Sequence, residues 1–364
     1  APAGSANFLR RFALSKMIWI VFCATALLFL FATMPGCTSS EEKPRETENP
    51  FFADYGTPFE TPAFDRIKVG HFVPAVEEAI KLHQAEVDAI IQNTEAPTFI
   101  NTMQALDRTG ESLERVASVF YSLMSADTSP ELQAAAKEIA PKLSAHSDNI
   151  SLNEKLLARV KALYEKRDEL DLDAEQAYML EHTYKDFVRS GALLNDEQKT
   201  RMREINQRLS LLGLQFSENL LKETNSSYIV IEDEADLAGL PDSVVTMGKE
   251  TAEEYEMPGK WVYTTQRASM YPFLQYSENR SLREKLYRAY FMRGDRDNEH
   301  DNKAVLKEIM QLRIERTGML GYETPAHFYL ETRMAGTPQR VDEFLMQLWK
   351  PALKRAKDEA SEMQ

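Results

Sequence analysis

The feature that most constrains this sequence is an apolar period of 3.6 residues, which begins at His71 and dominates the rest of the chain. In the first such stretch, HFVPAVEEAIKLHQAEVDAIIQN, the apolar side chains fall on one stripe of a helix, at Phe72, Val76, Ile80, Val87 and Ile91. Such a stripe is stable when it is buried against other elements. The sequence therefore predicts a fold that is mainly α.

Three further stretches predict long helices. APTFINTMQALDRTGESLERVASVFYSLMSAD, residues 96–127, is predicted to start near Pro97 and to continue for about seven turns. In SPELQAAAKEIAPKLSAH, Pro130 marks a helix start and Pro141 predicts a kink. Asn195 is predicted to be an N-cap, because acidic residues follow it in the first turn.

Two segments interrupt the helical period. The alternating, β-branched residues 228–231 (YIVI) predict one strand, and residues 261–265 (WVYTT) predict another. The stretch PDSVVTMGKETAEEYEM between them predicts a helix that ends at PGK. We therefore expect a small β element within the helical fold. No fixed period of about 34 to 45 residues repeats, which argues against a solenoid.

Length and charge restrict the class of protein. The chain has 364 residues, of which 43% are hydrophobic, enough for two domains with a large buried core. Its 57 Asp and Glu residues outnumber its 43 Lys and Arg residues, so the formal net charge is −14. Binding to phosphate backbones requires clustered Lys and Arg, and no basic block is present. We therefore expect no nucleic-acid partner.

The first 36 residues have the layout of a secretory signal peptide. An apolar run from residue 17 to residue 34 follows a basic start formed by Arg10, Arg11 and Lys16. An uncleaved membrane anchor is the alternative, because 18 apolar residues can just span a bilayer. In both cases we expect an exported protein that is tethered to a membrane in the bacterial cell envelope, with its folded part on the periplasmic side.

The sequence TMPGC predicts lipid attachment at Cys37, because small residues before a cysteine are similar to a bacterial lipobox. The match departs at Pro35, where Ala or Ser is more usual. Residues 37–58 then predict a tether, since they are rich in charge and proline and have no apolar period. The other cysteine, Cys23, lies inside the signal, so we expect neither a disulfide nor a thiol nucleophile in the folded part.

The sequence lacks the common catalytic and metal-binding motifs. None of the six histidines begins an H-E-x-x-H sequence, and the chain has no C-x-x-C, G-x-S-x-G, G-x-G-x-x-G or Walker loop. The sequence therefore predicts no catalytic residue and no zinc ligand within these 364 residues.

One group of residues of the types that bind metal ions does occur. Glu323, His327 and Glu331 follow at steps of four, so on a helix they share one face. The outer two would lie about 12 Å apart, too far to share one ion, and we interpret them as an ordinary helix face. Residues 293–302 (RGDRDNEHDN) lack the glycine and terminal glutamate of a calcium loop and predict a polar turn. Residues 270–276 (MYPFLQY) predict core, or else the wall of a substrate channel.

The stretch LRIERTGMLGYETPAHFYLETRMAGTPQRVDEFLMQL, residues 312–348, resembles the region that leads into the catalytic core of the M3 metallopeptidases. This group contains oligopeptidase A, thimet oligopeptidase and peptidyl-dipeptidase Dcp. SENRSLREKLYRAYFMRGDRDNEHDN, DLAGLPDSV and FINTMQALDRTGESLERVASVFYSLMSAD are also similar to segments of that family, in the same order. The resemblance covers residues 49–364, and its closest subtype is Dcp in an exported lipoprotein form.

The resemblance implies an elongated, nearly all-helical peptidase fold divided by a deep channel. It implies residues 59–225 as an N-terminal helical region, and residues 226–364 as a small sheet with helices that start the catalytic region. It also implies Zn²⁺ as the cofactor of the complete enzyme, short peptides as substrates and a monomer. The family's H-E-x-x-H and its later glutamate would lie beyond Gln364, so we expect a chain truncated before the zinc-binding helices that binds no zinc and is inactive alone.

The sequence leaves two alternatives open. If the gene ends near Gln364, the protein is a non-enzymatic helical lipoprotein that binds peptides. The last stretch, VDEFLMQLWKPALKRAKDEASEMQ, shows no helix cap, which favours a fragment. The second alternative is a module that binds calcium or another metal through Glu323 and His327.

Overall fold

The computed structural model describes residues 49–364, and the packed unit runs from Pro50 to Gln364. The predicted signal peptide (1–36), the predicted lipid attachment site Cys37 and the first part of the predicted tether lie outside the described residues. Within residues 49–364, no helix is both long enough and apolar enough to cross a membrane.

Helices make up most of residues 49–364, and the prediction of a mainly α fold with a small β element is confirmed. Two strands, β1 (Tyr228–Ile231) and β2 (Trp261–Thr264), form an antiparallel sheet. The helices in chain order are α1 (Phe72–Gln92), α2 (Glu111–Ala126), α3 (Pro130–Ser151), α4 (Glu154–Tyr164), α5 (Ala174–Ser190), α6 (Asp196–Ser226), α7 (Asp242–Glu254), α8 (Arg267–Tyr276), α9 (Arg280–Phe291), α10 (Lys303–Met319), α11 (Pro325–Leu330) and α12 (Pro338–Met363).

Side-chain caps explain where several helices begin. The Oδ1 atom of Asn195 accepts a hydrogen bond from the backbone N–H of Gln198 (2.9 Å), and Gln198 Oε1 accepts one from the N–H of Asn195 (3.2 Å). This capping box satisfies two backbone donors that α6 would otherwise leave unpaired, and the predicted N-cap is confirmed. Ser129 caps α3 with a single bond, in which its Oγ atom accepts from the N–H of Leu132 (3.2 Å). Pro130 follows it as predicted, and α3 continues past Pro141 as one helix.

Residues 96–127 do not form one helix. A π-helical segment over Phe99–Gln104 passes into a short α turn over Ala105–Asp107, and α2 begins only at Glu111. Between them Gly110 has a φ of +85°, a left-handed conformation in which a Cβ atom is strained. The prediction of seven continuous turns is therefore wrong, because the apolar pattern did not register the turn at Gly110.

The first hydrophobic core lies between α1, α2 and α3. Phe72 occupies its centre, with its ring centroid 5.1 Å from that of Phe120 in an edge-on arrangement and 5.2 Å from that of Phe51. All three rings are buried, together with Val76 of α1 and Ile139 of α3. Aromatic rings of this size supply much of the apolar area that a helical core removes from water.

Residues 50–58, the last part of the predicted tether, belong to this core. Phe51 lies in a short 3₁₀ turn and is buried, and so is Tyr55. The Arg115 guanidinium stacks 3.9 Å from the Tyr55 ring centroid and donates a hydrogen bond to the Ala53 carbonyl (2.9 Å). The prediction of a tether is wrong from Pro50 onward, because two buried aromatic residues fix the segment without producing a detectable apolar period.

Two other clusters complete the helical part. One joins α4 and α5 to the end of α1, and its buried members include Leu156, Val160 and Leu180. The other joins α6 to α10 through Leu212 and Ile309. Helix α6, which precedes the sheet in the chain, therefore packs against α10, which follows the sheet. The predicted division at residues 225 and 226 stays a prediction.

The sheet closes over α7 at a position that requires glycine. The Tyr263 ring on β2 is completely buried, and its hydroxyl donates to the Val244 carbonyl (3.3 Å). Burial raises the pKa of Tyr263 to about 12. A Cβ atom at Gly248 would lie 2.6 Å from Cζ of this ring, so only glycine lets α7 approach β2 this closely.

Helix α12 is the exception to this packing. It spans Pro338–Met363 and contains no buried residue. Its large apolar residues from position 344 onward are exposed, namely Phe344, Leu345, Met346, Leu348, Trp349, Leu353 and Met363. Apolar helix faces of this length are normally covered by another element or another molecule.

Candidate functional site

The residues Glu323, His327 and Glu331 do not lie on one helix face. Helix α11 covers only Pro325–Leu330, so Glu323 precedes it and Glu331 follows it. His327 Nδ1 lies 2.9 Å from Oγ1 of the N-cap Thr324, and its Nε2 lies 3.6 Å from Glu323. The predicted shared face is wrong because the helix is too short.

No other part of residues 49–364 supplies a zinc site. No group of three or more His, Cys, Asp and Glu side chains in this range is arranged to hold a metal ion. Zinc in enzymes takes three such protein ligands and one open position. The donor set of the described residues therefore does not fit the zinc ion that the resemblance implies.

The acidic turn at residues 293–302 is held by a lysine. Lys303 Nζ lies 2.8 Å from Asp295, 2.7 Å from Asp297 and 3.1 Å from Asp301. These salt bridges raise the pKa of Lys303 above its ordinary value, because three carboxylates stabilise its charged form. An ammonium group thus occupies the place where a calcium ion would need the same oxygens, which agrees with the prediction of a polar turn.

Residues 270–276 lie in α8 and divide between two environments. Met270 and Phe273 are buried against the sheet, with the Phe273 ring centroid 4.5 Å from that of Tyr263. Tyr271 and Tyr276 are exposed. The prediction of core residues is confirmed for the first pair only.

Arg189, at the end of α5, forms the junction between the N-terminal helices and α11. It donates hydrogen bonds to the Phe328 carbonyl (2.8 Å) and the Tyr322 hydroxyl (3.2 Å), and it pairs with Glu331. Its guanidinium also stacks 4.3 Å from the Phe328 ring centroid. A planar group with five N–H donors can hold all of these contacts at once, whereas an ammonium group cannot.

On one side of Arg189 lies a polar cavity of about 340 Å³. Its wall on α3 carries Asp148, and Asn206 on α6 and Arg316 on α10 face the same space. Asn206 Nδ2 donates to Asp148 Oδ1 (2.7 Å), and Arg316 Nη1 donates to Asn206 Oδ1 (3.3 Å). The cavity thus joins helices that lie far apart in the sequence through one hydrogen-bonded chain.

The carboxylate of this cavity is incompletely satisfied. Asp148 is buried, and its Oδ2 atom has no hydrogen-bond partner among the described residues. Burial raises its pKa, while the hydrogen bond from Asn206 and the charges of Arg203 and Arg316 act in the opposite direction. Within residues 49–364, Arg316 Nε also lacks a partner. A buried group in this state is expected to bind water or a ligand atom.

On the other side of Arg189 lies a larger pocket of about 530 Å³, which we call the tyrosine pocket. Three tyrosines and three cationic residues line it: Tyr164, Tyr184, Tyr322, Lys185, Arg189 and Arg333. Its size is within the range of ligand-binding pockets, and aromatic walls with a few polar groups are typical of such sites.

Two contacts fix the walls of the tyrosine pocket. The Tyr164 and Tyr184 rings are stacked, with centroids 4.1 Å apart and planes inclined by 12°. On the opposite side, the Tyr322 hydroxyl donates to Glu331 (2.6 Å). Burial raises the pKa of Tyr322, and this hydrogen bond raises it further, so the hydroxyl stays protonated near neutral pH.

Sequence reasoning missed both cavities. Asp148, Arg189, Asn206 and Arg316 are separated by 41, 17 and 110 positions, and no local motif connects them. One signal was available: Asp148 lies in the stretch SAHSDNIS, in which serines on a helix face stand where apolar residues would be expected. The polar cavity forms only because α3 packs against α6 and α10, and the sequence of α3 alone does not show this.

Comparisons with known proteins agree with the architecture. Residues 76–199 match the family described as "Neurolysin/Thimet oligopeptidase, N-terminal domain". Residues 273–364 match "Peptidase family M3". The two matched segments lie on the two sides of the β1–α7–β2 region, and both contribute residues to the Arg189 junction.

Individual proteins that match most of this chain belong to the same family. The chain is 32% identical to the dipeptidyl carboxypeptidase of Escherichia coli over 318 residues, which is 87% of this chain and 47% of that protein. It is 35% identical to oligopeptidase A of Escherichia coli over 311 residues, 84% of this chain and 46% of that protein. The "probable cytosolic oligopeptidase A" of Arabidopsis thaliana is 30% identical over 312 residues, 82% of this chain and 44% of that protein.

The chain thus spans about half the length of the curated relatives that it matches. Within this chain, the match to the N-terminal domain covers residues 76–199, and the match to the peptidase domain begins at residue 273. On this evidence the chain belongs to peptidase family M3, of which it contains the N-terminal domain and part of the peptidase domain.

Proposed function

We propose that this chain forms the N-terminal part of an exported zinc metallopeptidase that hydrolyses short peptides. The observation that carries the proposal is the similarity to a dipeptidyl carboxypeptidase and to oligopeptidase A along more than four fifths of the chain. The two enzyme names define two types of cleavage, removal of C-terminal dipeptides and cleavage within a short peptide. The identities of 32% and 35% do not separate them.

The zinc site is proposed to come from residues that this chain does not contain. The described residues supply no suitable donor group, and the 364-residue sequence has no H-E-x-x-H. The contribution of this chain is therefore structural: it holds α10 and α11 against the N-terminal helices through Arg189, and it provides the polar cavity and the tyrosine pocket.

The exposed face of α12 supports this proposal. Phe344, Leu348 and Trp349 are each more than half exposed, although large apolar side chains on helices are normally buried. We propose that the remaining part of the peptidase domain covers this face. The relatives contain such a part, because this chain accounts for only 47% of the dipeptidyl carboxypeptidase.

Export and membrane attachment are proposed from the N-terminal sequence. The basic start, the apolar run of residues 17–34 and the small residues before Cys37 support cleavage at that cysteine and its acylation. The proposed protein is anchored by lipid, faces the periplasm and binds short peptides there. Labelling with a radioactive fatty acid, with Cys37→Ser as the control, tests the attachment directly.

The decisive test of the function compares two proteins with a quenched fluorescent peptide. One is the 364-residue chain, and the other is the product of the same gene with any reading frame that continues past Gln364. We expect zinc-dependent cleavage, abolished by a chelator, from the longer product only. Zinc-dependent cleavage by the 364-residue chain would overturn the placement of the zinc site. An inactive longer product would favour a non-enzymatic helical lipoprotein that binds peptides.

A further inference from the structure

The tyrosine pocket contains a cation whose charge the described residues do not neutralise. Arg189 pairs with Glu331, and Lys185 pairs with Glu181 outside the pocket (2.5 Å). Arg333 follows α11, is exposed, and forms no salt bridge with any of residues 49–364. The pocket therefore has three positive groups on its wall and one carboxylate, Glu331, which Arg189 already neutralises.

The rest of the pocket is aromatic and apolar. The stacked pair of Tyr164 and Tyr184 forms one wall, and Val188 and Leu193 add aliphatic surface. Leu193 is 60% exposed, so apolar area remains available to a ligand. The pocket volume of about 530 Å³ suits a small ligand or a few residues of a peptide.

These features together define the chemistry of the ligand. An unpaired guanidinium favours a carboxylate, because the two planar groups can form two parallel charge-assisted hydrogen bonds. The tyrosine wall favours an apolar or aromatic group beside that carboxylate. A polyanion is disfavoured, because the whole chain carries a net charge of −14 and repels it.

We propose that the tyrosine pocket binds a peptide segment in which a carboxylate lies next to an apolar side chain. Arg333 forms the ion pair with the carboxylate, and Tyr164 and Tyr184 contact the apolar group. The proposal takes the ligand class from the proposed function, but binding requires neither zinc nor cleavage. The carboxylate belongs either to an acidic side chain or to the C-terminus of the peptide.

The experiment measures fluorescence polarisation of three labelled pentapeptides with the 364-residue chain at low salt. The first is apolar with a free C-terminal carboxylate, the second is the same peptide with a C-terminal amide, and the third is that amide with one internal Glu. We expect the first or the third peptide, or both, to bind about tenfold more tightly than the second. The third peptide distinguishes a side-chain carboxylate from a C-terminal one.

Two variants connect this preference to the pocket. Arg333→Gln is expected to remove the tenfold preference, while Arg340→Gln, a matched exposed arginine on α12 without a salt bridge among residues 49–364, is expected to keep it. Tyr184→Leu is expected to weaken the binding of all three peptides several-fold through loss of the stacked wall. Circular dichroism confirms that each variant is folded.

Three results would overturn the proposal: equal binding of all three peptides, an unchanged preference in Arg333→Gln, or no binding at about 1 mM peptide. Each is independent of peptidase activity. If peptides bind with the expected preference while the longer gene product cleaves none, the proposed function fails and the pocket remains. If the longer product cleaves peptides that the pocket does not bind, the pocket fails and the proposed function remains.

Discussion

Helices α1 and α12 have the same kind of amphipathic pattern and opposite surroundings. In α1, Phe72, Val76 and Ala79 are completely buried. In α12, the corresponding apolar positions are exposed, with Phe344 at 59% and Trp349 at 56%. The difference shows that an apolar period indicates which face of a helix is to be covered, but not which segment covers it. In α1 the cover is α2 and α3, and for α12 we propose the remainder of a peptidase domain.

The largest predicted effect separates these two helix environments. Phe120→Ala removes a completely buried ring that packs edge-on against Phe72, and we expect a loss of about 3–5 kcal/mol in the free energy of unfolding. Trp349→Ala on α12 removes a larger but exposed ring, and we expect a change within about 0.5 kcal/mol. Urea unfolding of both variants, followed by circular dichroism, measures the difference. Equal losses would mean that α12 packs against the rest of this chain in solution.

The next effect concerns the Arg189 junction. Arg189→Lys retains the charge but loses the planar group that contacts Tyr322, the Phe328 carbonyl and Glu331 together. We expect a loss of about 2 kcal/mol in the free energy of unfolding.

The matched control for this variant is Arg201→Lys. Arg201 also binds a glutamate in a bidentate manner, with its guanidinium nitrogens 2.6 and 2.9 Å from the Glu315 carboxylate oxygens. Both side chains of this pair are exposed. We expect a much smaller effect there, since surface ion pairs contribute little. Equal effects in the two variants would show that Arg189 is an ordinary surface contact and does not hold α11.

Much of this architecture was predictable, and the reasons are local. Neighbouring residues determine the helix cap at Asn195, and they determine the β-branched alternation of the strands at Tyr228 and Trp261. They also determine the apolar period of the helix between the two strands. The wrong predictions concern segments whose conformation depends on contacts or turns that the local apolar pattern does not show. Phe51 and Tyr55 are fixed by α1 and α2, and Gly110 turns the chain where the apolar pattern continues.

The sites were not predictable in the same way. The sequence excluded a zinc motif, and it directed attention to Glu323, His327 and Glu331. The candidate site instead depends on Arg189, which contacts Tyr322 and Glu331 more than 130 positions further along the chain. No periodicity or spacing rule connects residues so far apart, because their contact follows from how α5 packs on α11.

A smaller predicted effect is a loss of stability in mild acid that originates in the N-terminal helices. His146 Nε2 lies 3.0 Å from His83 Nδ1, and His83 Nε2 lies 3.1 Å from Thr109 Oγ1. The Thr109 hydroxyl donates to the Leu106 carbonyl, so His83 Nε2 carries its proton and Nδ1 accepts. Burial lowers the pKa of both histidines, because it disfavours the charged imidazole.

The sign of this effect follows from proton linkage. The unfolded chain protonates these two histidines below a pH of about 6.5 while the folded chain does not, so lowering the pH favours the unfolded state. We expect the free energy of unfolding to fall below pH 6.5, down through the folded-state pKa values. His146→Gln is expected to weaken this dependence. His182→Gln is expected to leave it unchanged, because the half-buried His182 ring stacks on Tyr178 and takes no part in the His83–His146 pair. Identical pH profiles for the three proteins would contradict the prediction.

The smallest predicted effect is a gain in stability at the polar cavity. Burial raises the pKa of Asp148, so its charged form destabilises the folded state above the unfolded pKa of about 3.9. Asp148→Asn keeps the acceptor for Asn206 and removes that charge. We expect a slightly higher melting temperature than the parent at pH 7, and no difference below pH 4. A lower melting temperature at pH 7 would show that the carboxylate is required by Arg316 or by a bound ligand.

The measurement that tests the central claim most directly is the sequence of the gene past the codon for Gln364. The central claim is that α12 is covered by the zinc-binding part of a peptidase domain. It predicts an open reading frame that encodes H-E-x-x-H and a later glutamate, preceded by helices with apolar faces that can cover Phe344 and Trp349. A stop codon directly after Gln364 would contradict the claim, and the protein would then be a helical lipoprotein without the chemistry of its relatives.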